Sequence, residues 1–265
     1  MPDHAQPLGL VGMVHLEALP GTPSNHLPPD AIIQRAVEDA TVLAKAGFDA
    51  VLVENMLDAP YMLRTVGPEI VATMTAATSA VKAAINLPVG VQVLAGANCA
   101  AMSIAHASGG TFIRAEGFAY AAVADEGIFS EADAGPLLRH RRMLGADTVS
   151  IWADVRKKHS SHAITSDLSL AEIVAGTAFC GADAIVVTGS STGEPTKRED
   201  IEEATAASNL PVIVGSGATP ESIPELLRVV NAIIIGSSIK IDGDWRRPVD
   251  PERAARAVEA RNHVG

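Results

Sequence analysis

Eight times along the chain a short apolar run rich in β-branched residues is followed by a segment of helical period, and this cadence fills nearly all 265 residues. The runs cover residues 8–14, 50–53, 89–94, 111–114, 148–153, 184–188, 211–214 and 232–235. Parallel strands cannot be joined by tight hairpins and need long crossovers, usually helical. A repeat of roughly 30 residues taken eight times is what a closed (β/α)8 barrel requires. The sequence therefore predicts a single TIM-barrel domain over residues 1–265, with residues 1–7 as an N-terminal tail.

Composition agrees with that architecture and narrows the function. Hydrophobic residues make up 48% of the chain but aromatic ones only 3%, which suits a barrel lined by small and branched side chains. A formal charge of -11 argues against a nucleic-acid partner, because affinity for a phosphate backbone comes largely from Lys and Arg. Cys99 and Cys180 fall in helix-period segments of different repeats, so no disulfide framework is expected and a reducing compartment is. No apolar stretch approaches the ~18 residues that cross a bilayer. The expectation is a cytoplasmic chain without a transmembrane segment.

The two ends of such a barrel differ in this sequence. Helix-to-strand turns are short and alike: Ala46-Gly47-Phe48-Asp49, Leu144-Gly145-Ala146-Asp147 and Cys180-Gly181-Ala182-Asp183. Each glycine stands where a helix must stop in the left-handed region. Strand-to-helix segments are long and polar after strands 1, 4, 5 and 6, at residues 15–28, 115–133, 154–167 and 189–197. Barrel enzymes build their sites on that face.

Two glycine loops follow strands 7 and 8, where many barrels hold a phosphate. They supply Gly215, Ser216 and Gly217, then Gly236 and Ser237. Glycine lets the backbone approach a ligand, and a helix start offers unpaired N–H groups to an anion. Thr219-Pro220 reads as an N-cap with proline at the first helical position. Lys240 either adds charge to this end or is a solvated surface lysine.

Period-two alternation puts His15 with Glu17, Arg114 with Glu116, and Trp152 with Asp154 on common faces. Glu54 and Asn55 end strand 2, Gln92 lies on strand 3, and Thr188, Ser190 and Thr192 follow strand 6. Buried strand-end charges are costly unless paired or functional. Glu54, Arg114, Asp154, His15 and Lys158 are thus the candidate catalytic groups. Glu17, Asn55, Gln92, Glu116, His159 and Thr188 are candidate substrate contacts. The competing structural readings are an ion pair of Arg114 with Glu54 or Glu116, and a solvated charge run at residues 154–159. No lysine lies within a strand, which disfavours a Schiff-base role. His15, Glu17, Glu54, Asp154 and His159 are suitable ligand types for a divalent metal, without a short-range ligand pattern.

The chain resembles the BtpA family of barrel proteins. The resemblance rests on Val14-His15-Leu16-Glu17-Ala18-Leu19-Pro20-Gly21-Thr22-Pro23, on Asp49 through Pro60, and on Phe112-Ile113-Arg114. It continues through Ala153-Asp154-Val155 with Lys158-His159, Val187-Thr188-Gly189 with Thr192-Gly193, and both glycine loops. The chain departs from the family pattern at Leu94-Ala95-Gly96-Ala97-Asn98, in place of Leu-Arg-Asn-Asp, and at Glu116-Gly117-Phe118 after Arg114. The resemblance implies a barrel of the ribulose-phosphate-binding type. It also implies two functional readings: an enzyme on a phosphorylated sugar or nucleotide-like metabolite, or a non-catalytic assembly factor of the kind associated with photosystem I biogenesis.

The residues favour the enzyme. In the simplest scheme the glycine loops hold phosphate, Glu54 or Asp154 accepts a proton, His15 or Lys158 donates one, and Arg114 stabilises an oxyanion. Isomerisation, epimerisation, aldol-type cleavage and glycosidic or phosphoribosyl chemistry all fit that layout. The expected partner is a small phosphorylated metabolite. Self-association through the outer helices would give a homo-oligomer.

Overall fold

A computed structural model describes residues 9–189 and 194–263; residues 1–7, Leu8, Ser190 and the Thr192-Gly193 pair lie outside the described residues. Eight strands form a closed, wholly parallel barrel: β1 (Gly9–His15), β2 (Ala50–Glu54), β3 (Val89–Gln92), β4 (Phe112–Ala115), β5 (Ser150–Asp154), β6 (Ala184–Val187), β7 (Val212–Val214) and β8 (Ala232–Ile235). Each neighbours the next, and β8 closes onto β1 through Gly9 opposite Ala232. Helices α1 (Pro29–Ala46), α2 (Pro68–Ala84), α3 (Asn98–Ser108), α4 (Ala134–Leu144), α5 (Leu170–Phe179), α6 (Arg198–Ala207), α7 (Ile223–Leu226) and α8 (Pro251–Asn262) alternate with them.

Alternation along each strand divides the apolar side chains into two layers. Val11, Met13, Leu52, Phe112, Trp152, Val186, Ile213 and Ile234 fill the barrel. Leu10, Val14, Val51, Val53, Val91, Ile113, Ile151, Ile185 and Ile233 face the helices. Phe112 and Trp152 stack in the interior with ring centroids 3.8 Å apart. Gly90 makes room for them, since a Cβ there would overlap the Phe112 ring. An alanine at this position would displace the stack.

At the N-terminal end Gly47, Gly145 and Gly181 adopt φ of 98°, 67° and 91°, as left-handed helix stops require. The aspartates after two of these turns bind the neighbouring strand. Asp49 Oδ2 accepts from the Leu10 N–H at 2.8 Å, and Asp183 Oδ2 from the Ile151 N–H at 2.8 Å. Arg261 and Arg141 each reach the same oxygen at 2.7 Å.

Two expectations change at the other end. Helix α7 begins at Ile223 rather than Pro220 and has four residues. Pro224 accounts for this: it lacks an N–H and its ring fits only the first helical turn, so no helix can run through it from Pro220. Thr219 instead joins a turn in which its N–H donates to Ser222 Oγ at 3.0 Å. The polar segments after β4 and β5 also pair with each other. Strands Ala122–Ala124, Gly127–Phe129 and Ser160–Ser161 form a small antiparallel sheet beside the barrel mouth.

Candidate active site

Continuing each inward register one step past the apolar interior gives the lining of the mouth. Met13 is followed by His15, Leu52 by Glu54, Gly90 by Gln92, Phe112 by Arg114, Ile213 by Gly215 and Ile234 by Gly236. All six later residues border one cavity of about 900 Å³ at the C-terminal end. Glu116, Lys158, His159, Ser216, Gly217 and Ser237 border it too. This gathers most of the predicted site residues into one concavity of the size that small-molecule sites have.

His15 and Glu54 lie opposite each other in the β1–β2 ladder, with Nε2 and Oε2 3.8 Å apart. The Trp245 carbonyl is 2.8 Å from Nδ1. A carbonyl only accepts, so Nδ1 carries the hydrogen and Nε2 of the neutral ring presents its lone pair to the Glu54 side. Burial and, secondarily, the Lys240 charge hold the imidazole down to about 3, so this ring is neutral near pH 7. Burial also raises the Glu54 carboxyl, against the opposing charges of Arg114 and Lys158. A carboxyl raised in this way is a stronger base than a free one, while the neutral imidazole serves as a hydrogen-bond acceptor.

Arg114 pairs with Asp154 rather than with Glu54 or Glu116. Nε donates to Oδ1 at 3.1 Å and Nη2 to Oδ2 at 3.2 Å, a bidentate fork, while Nη1 donates to the Gly215 carbonyl at 3.2 Å. Of the five hydrogens of a guanidinium, these three bonds leave two for a ligand. Both Asp154 oxygens are engaged, so Asp154 holds Arg114 in place and is poorly disposed to act as the base. The Lys158 ammonium borders the cavity, and burial lowers it to about 8, helped by Arg114 and opposed by Glu54, Asp154 and Glu116.

Glu116 is buried, with its Oε2 unpaired among the described residues. Burial pushes its carboxyl up to about 7, against the pull of Lys157. Lys157 Nζ lies 3.9 Å from Glu116 but 3.0 Å from Glu126 of the small sheet. The segment read as a charge run is therefore divided. Lys157 anchors the sheet, Lys158 lines the cavity, and His159 borders it on an exposed, left-handed turn with φ of 52°.

The glycine loops after β7 and β8 are bound to one another, with Ser238 Oγ donating to the Ala218 carbonyl at 2.7 Å. Gly217 has φ of 73°, and a side chain there would run into the Glu194 carbonyl. Lys240 belongs to neither of its predicted settings. It is fully buried and donates at 2.7 Å to Asp39 of α1, whose other oxygen accepts from the Val249 N–H at 2.8 Å.

Three predicted contacts fall outside the cavity lining. Glu17 lies beyond the end of β1, where the strand register no longer applies, and turns outward to Arg35. Asn55 is buried between strands: its Oδ1 accepts from the Leu94 N–H at 2.8 Å and its Nδ2 donates to Asp58 at 3.0 Å. Thr188 donates to the Arg156 carbonyl at 3.1 Å. With Glu17 and Asp154 so engaged, the proposed metal-ligand types do not converge. Among the described residues no group of three or more His, Cys, Asp or Glu is placed to hold a metal ion.

The sequence reading missed Trp245, Tyr61 and Glu126, all of which border the cavity. It also missed Asp58, which accepts from the Leu19 N–H at 2.7 Å and from Thr22 Oγ1 at 3.0 Å. That interlock explains why the segments around His15 and Glu54 form one structural unit. Trp245 carried a signal as one of only two tryptophans in the chain.

Fold and site together define a (β/α)8 barrel with a buried, charged mouth. The model of the BtpA family matches residues 6–263, and the chain belongs to that family. A Caenorhabditis elegans protein, uncharacterized and named as mitochondrial, is 40% identical over 97% of this chain and 94% of its own length. The photosystem I biogenesis protein BtpA of Synechocystis is 38% identical over 95% of this chain and 87% of its own. Among solved structures, N-(5'-phosphoribosyl)anthranilate isomerase from Pyrococcus furiosus aligns with a TM-score of 0.60 at 12% identity, over 97% of this chain and 100% of that one. Thiamine phosphate pyrophosphorylase from the same organism gives 0.58 at 13%, over 97% of both chains. These likenesses show the barrel fold. No helix among the described residues is long and apolar enough to cross a membrane.

Proposed function

We propose that this chain is an enzyme that acts by acid–base chemistry on a small phosphorylated sugar or nucleotide-like metabolite. The observation that carries the reading is the single cavity in which the β7 and β8 glycine loops face a neutral His15, the raised Glu54, Lys158 and the two remaining hydrogens of Arg114. Ser216, Gly217, Gly236 and Ser237 take the phosphate on backbone N–H groups and hydroxyls, and Gly215, whose own N–H is bonded to the Val187 carbonyl at 2.8 Å, lets the ligand approach by lacking a side chain. Glu54 takes a proton from the substrate, and the neutral His15 accepts a hydrogen bond from a substrate hydroxyl at Nε2. Lys158 returns a proton, and Arg114, fixed by Asp154, stabilises the oxyanion that develops between the two transfers. Isomerisation, epimerisation and lyase chemistry all use these groups.

A second reading rests on the name of the Synechocystis relative: a non-catalytic assembly factor that keeps the barrel. Glu54→Gln separates the two. Once a thermal-shift screen of phosphorylated sugars and nucleotides has identified a stabilising ligand, the enzyme reading expects turnover of that ligand to fall at least ~100-fold in Glu54→Gln with binding retained. Turnover unchanged by Glu54→Gln, or no ligand from either class, would remove the enzyme reading.

A further inference from the structure

The cavity has two chemically different walls. On the β7–β8 side it is glycine and serine backbone. Across the barrel, on the β2–β3 side, lies a separate apolar cluster built on Leu94, Ala95 and Phe129, with Met56 and Tyr61 packed against it. Leu94, Met56 and Tyr61 border the cavity. Tyr61 directs its hydroxyl back to the Met56 carbonyl at 2.8 Å, which leaves its ring as the surface it can offer. This cluster is distinct from the barrel interior and from the helix-facing layer.

Gln92 and Glu116 border the cavity, and each keeps one acceptor, Gln92 Oε1 and Glu116 Oε2, buried behind its surface without a partner among the described residues. Each is at least nine-tenths buried, at 2% and 7% exposure. Leaving such acceptors unmet costs free energy, which a ligand with hydroxyl donors recovers when either side chain turns toward the cavity it borders. A phosphosugar alone satisfies the anion loops and these central acceptors. It leaves the apolar wall uncovered in a cavity of about 900 Å³.

From this we infer that the Leu94–Met56–Tyr61 wall is an aglycone subsite, and that the ligand is a phosphosugar bearing a planar, weakly polar substituent at its anomeric carbon, as a nucleoside 5'-monophosphate does. Phosphate sits in the β7–β8 loops, the sugar hydroxyls meet Gln92 and Glu116, and the planar group lies on the Tyr61 ring. The inference rests on the phosphate reading of the same cavity and specifies its substrate class. Tyr61 is the specificity-determining residue.

Calorimetric titration of the full chain with ribose 5-phosphate, AMP and UMP tests it, in wild type, Tyr61→Ala and Tyr61→Phe. One of the nucleotides should bind roughly tenfold or more tightly than ribose 5-phosphate, as base stacking on an aromatic ring supplies. That preference should persist in Tyr61→Phe and collapse in Tyr61→Ala. Unchanged ribose 5-phosphate affinity in Tyr61→Ala would show that the barrel and the phosphate loops are intact. Ribose 5-phosphate binding with no nucleotide preference, or a preference that survives Tyr61→Ala, would overturn the aglycone subsite and leave the phosphate reading standing. Binding of none of the three would overturn both.

Discussion

Glu116→Gln should make this protein more stable at alkaline pH while changing little at acid pH. The carboxyl is 7% exposed, its Oε2 is unpaired among the described residues, and the Lys157 ammonium, 3.9 Å away, is already bound to Glu126 at 3.0 Å. Ionising it in place removes hydration that the surroundings do not replace, so burial raises it from 4.5 to about 7. Because the folded value lies above the unfolded one, Glu116 contributes its full stability below 4.5. That contribution is lost as pH rises through 7. At about 1.4 kcal/mol per pH unit, the gap corresponds to about 3 kcal/mol. The amide keeps the shape and carries no proton to lose. Urea unfolding of wild type and Glu116→Gln between about pH 4 and about pH 8 should give curves that diverge in favour of the variant by about 3 kcal/mol at the upper end. Parallel curves over that range would show that Glu116 is hydrated or paired, and would refute the burial argument.

Three further outcomes follow from the same geometry. Asp39→Ala leaves the fully buried Lys240 ammonium without a counter-charge and should cost about 3–5 kcal/mol in denaturant unfolding, while adding Lys240→Met should restore much of it. Asp154→Asn keeps one acceptor for the Arg114 fork and should lose about 1–3 kcal/mol of stability, while weakening binding of anionic ligands in the same preparation. Gly217→Ala sets a side chain at φ of 73° against the Glu194 carbonyl and should cost about 1–3 kcal/mol, measured by thermal unfolding, with phosphate-dependent stabilisation reduced.

The barrel was legible because its signal repeats eight times and each repeat is local: an apolar run, then a helical period, then a glycine stop such as Gly47 or Gly145. The charged mouth was legible for a related reason. Strand alternation continues one step beyond Met13, Leu52 and Phe112 to His15, Glu54 and Arg114, so position along a strand predicted position in space. That inference failed where the strand had ended, at Glu17 and Thr188, whose side chains follow their loops. Partnerships between distant segments were not legible. Nothing local pairs Lys240 with Asp39, 201 residues away, or fixes the His15 tautomer through Trp245, 230 residues away. Nor does a three-residue strand such as Ala122–Ala124 carry enough alternation to announce the small sheet beside the mouth.

The proposed function requires the β7 and β8 loops to form an anion site facing the His15–Glu54 pair. Isothermal titration of ribose 5-phosphate into wild type and into Ser237→Glu tests it most directly, with thermal unfolding of both proteins as the check on folding. Saturable one-site binding to wild type is expected, with loss of that binding in Ser237→Glu at an unchanged melting temperature. Equal binding by both proteins, or binding by neither, would contradict it.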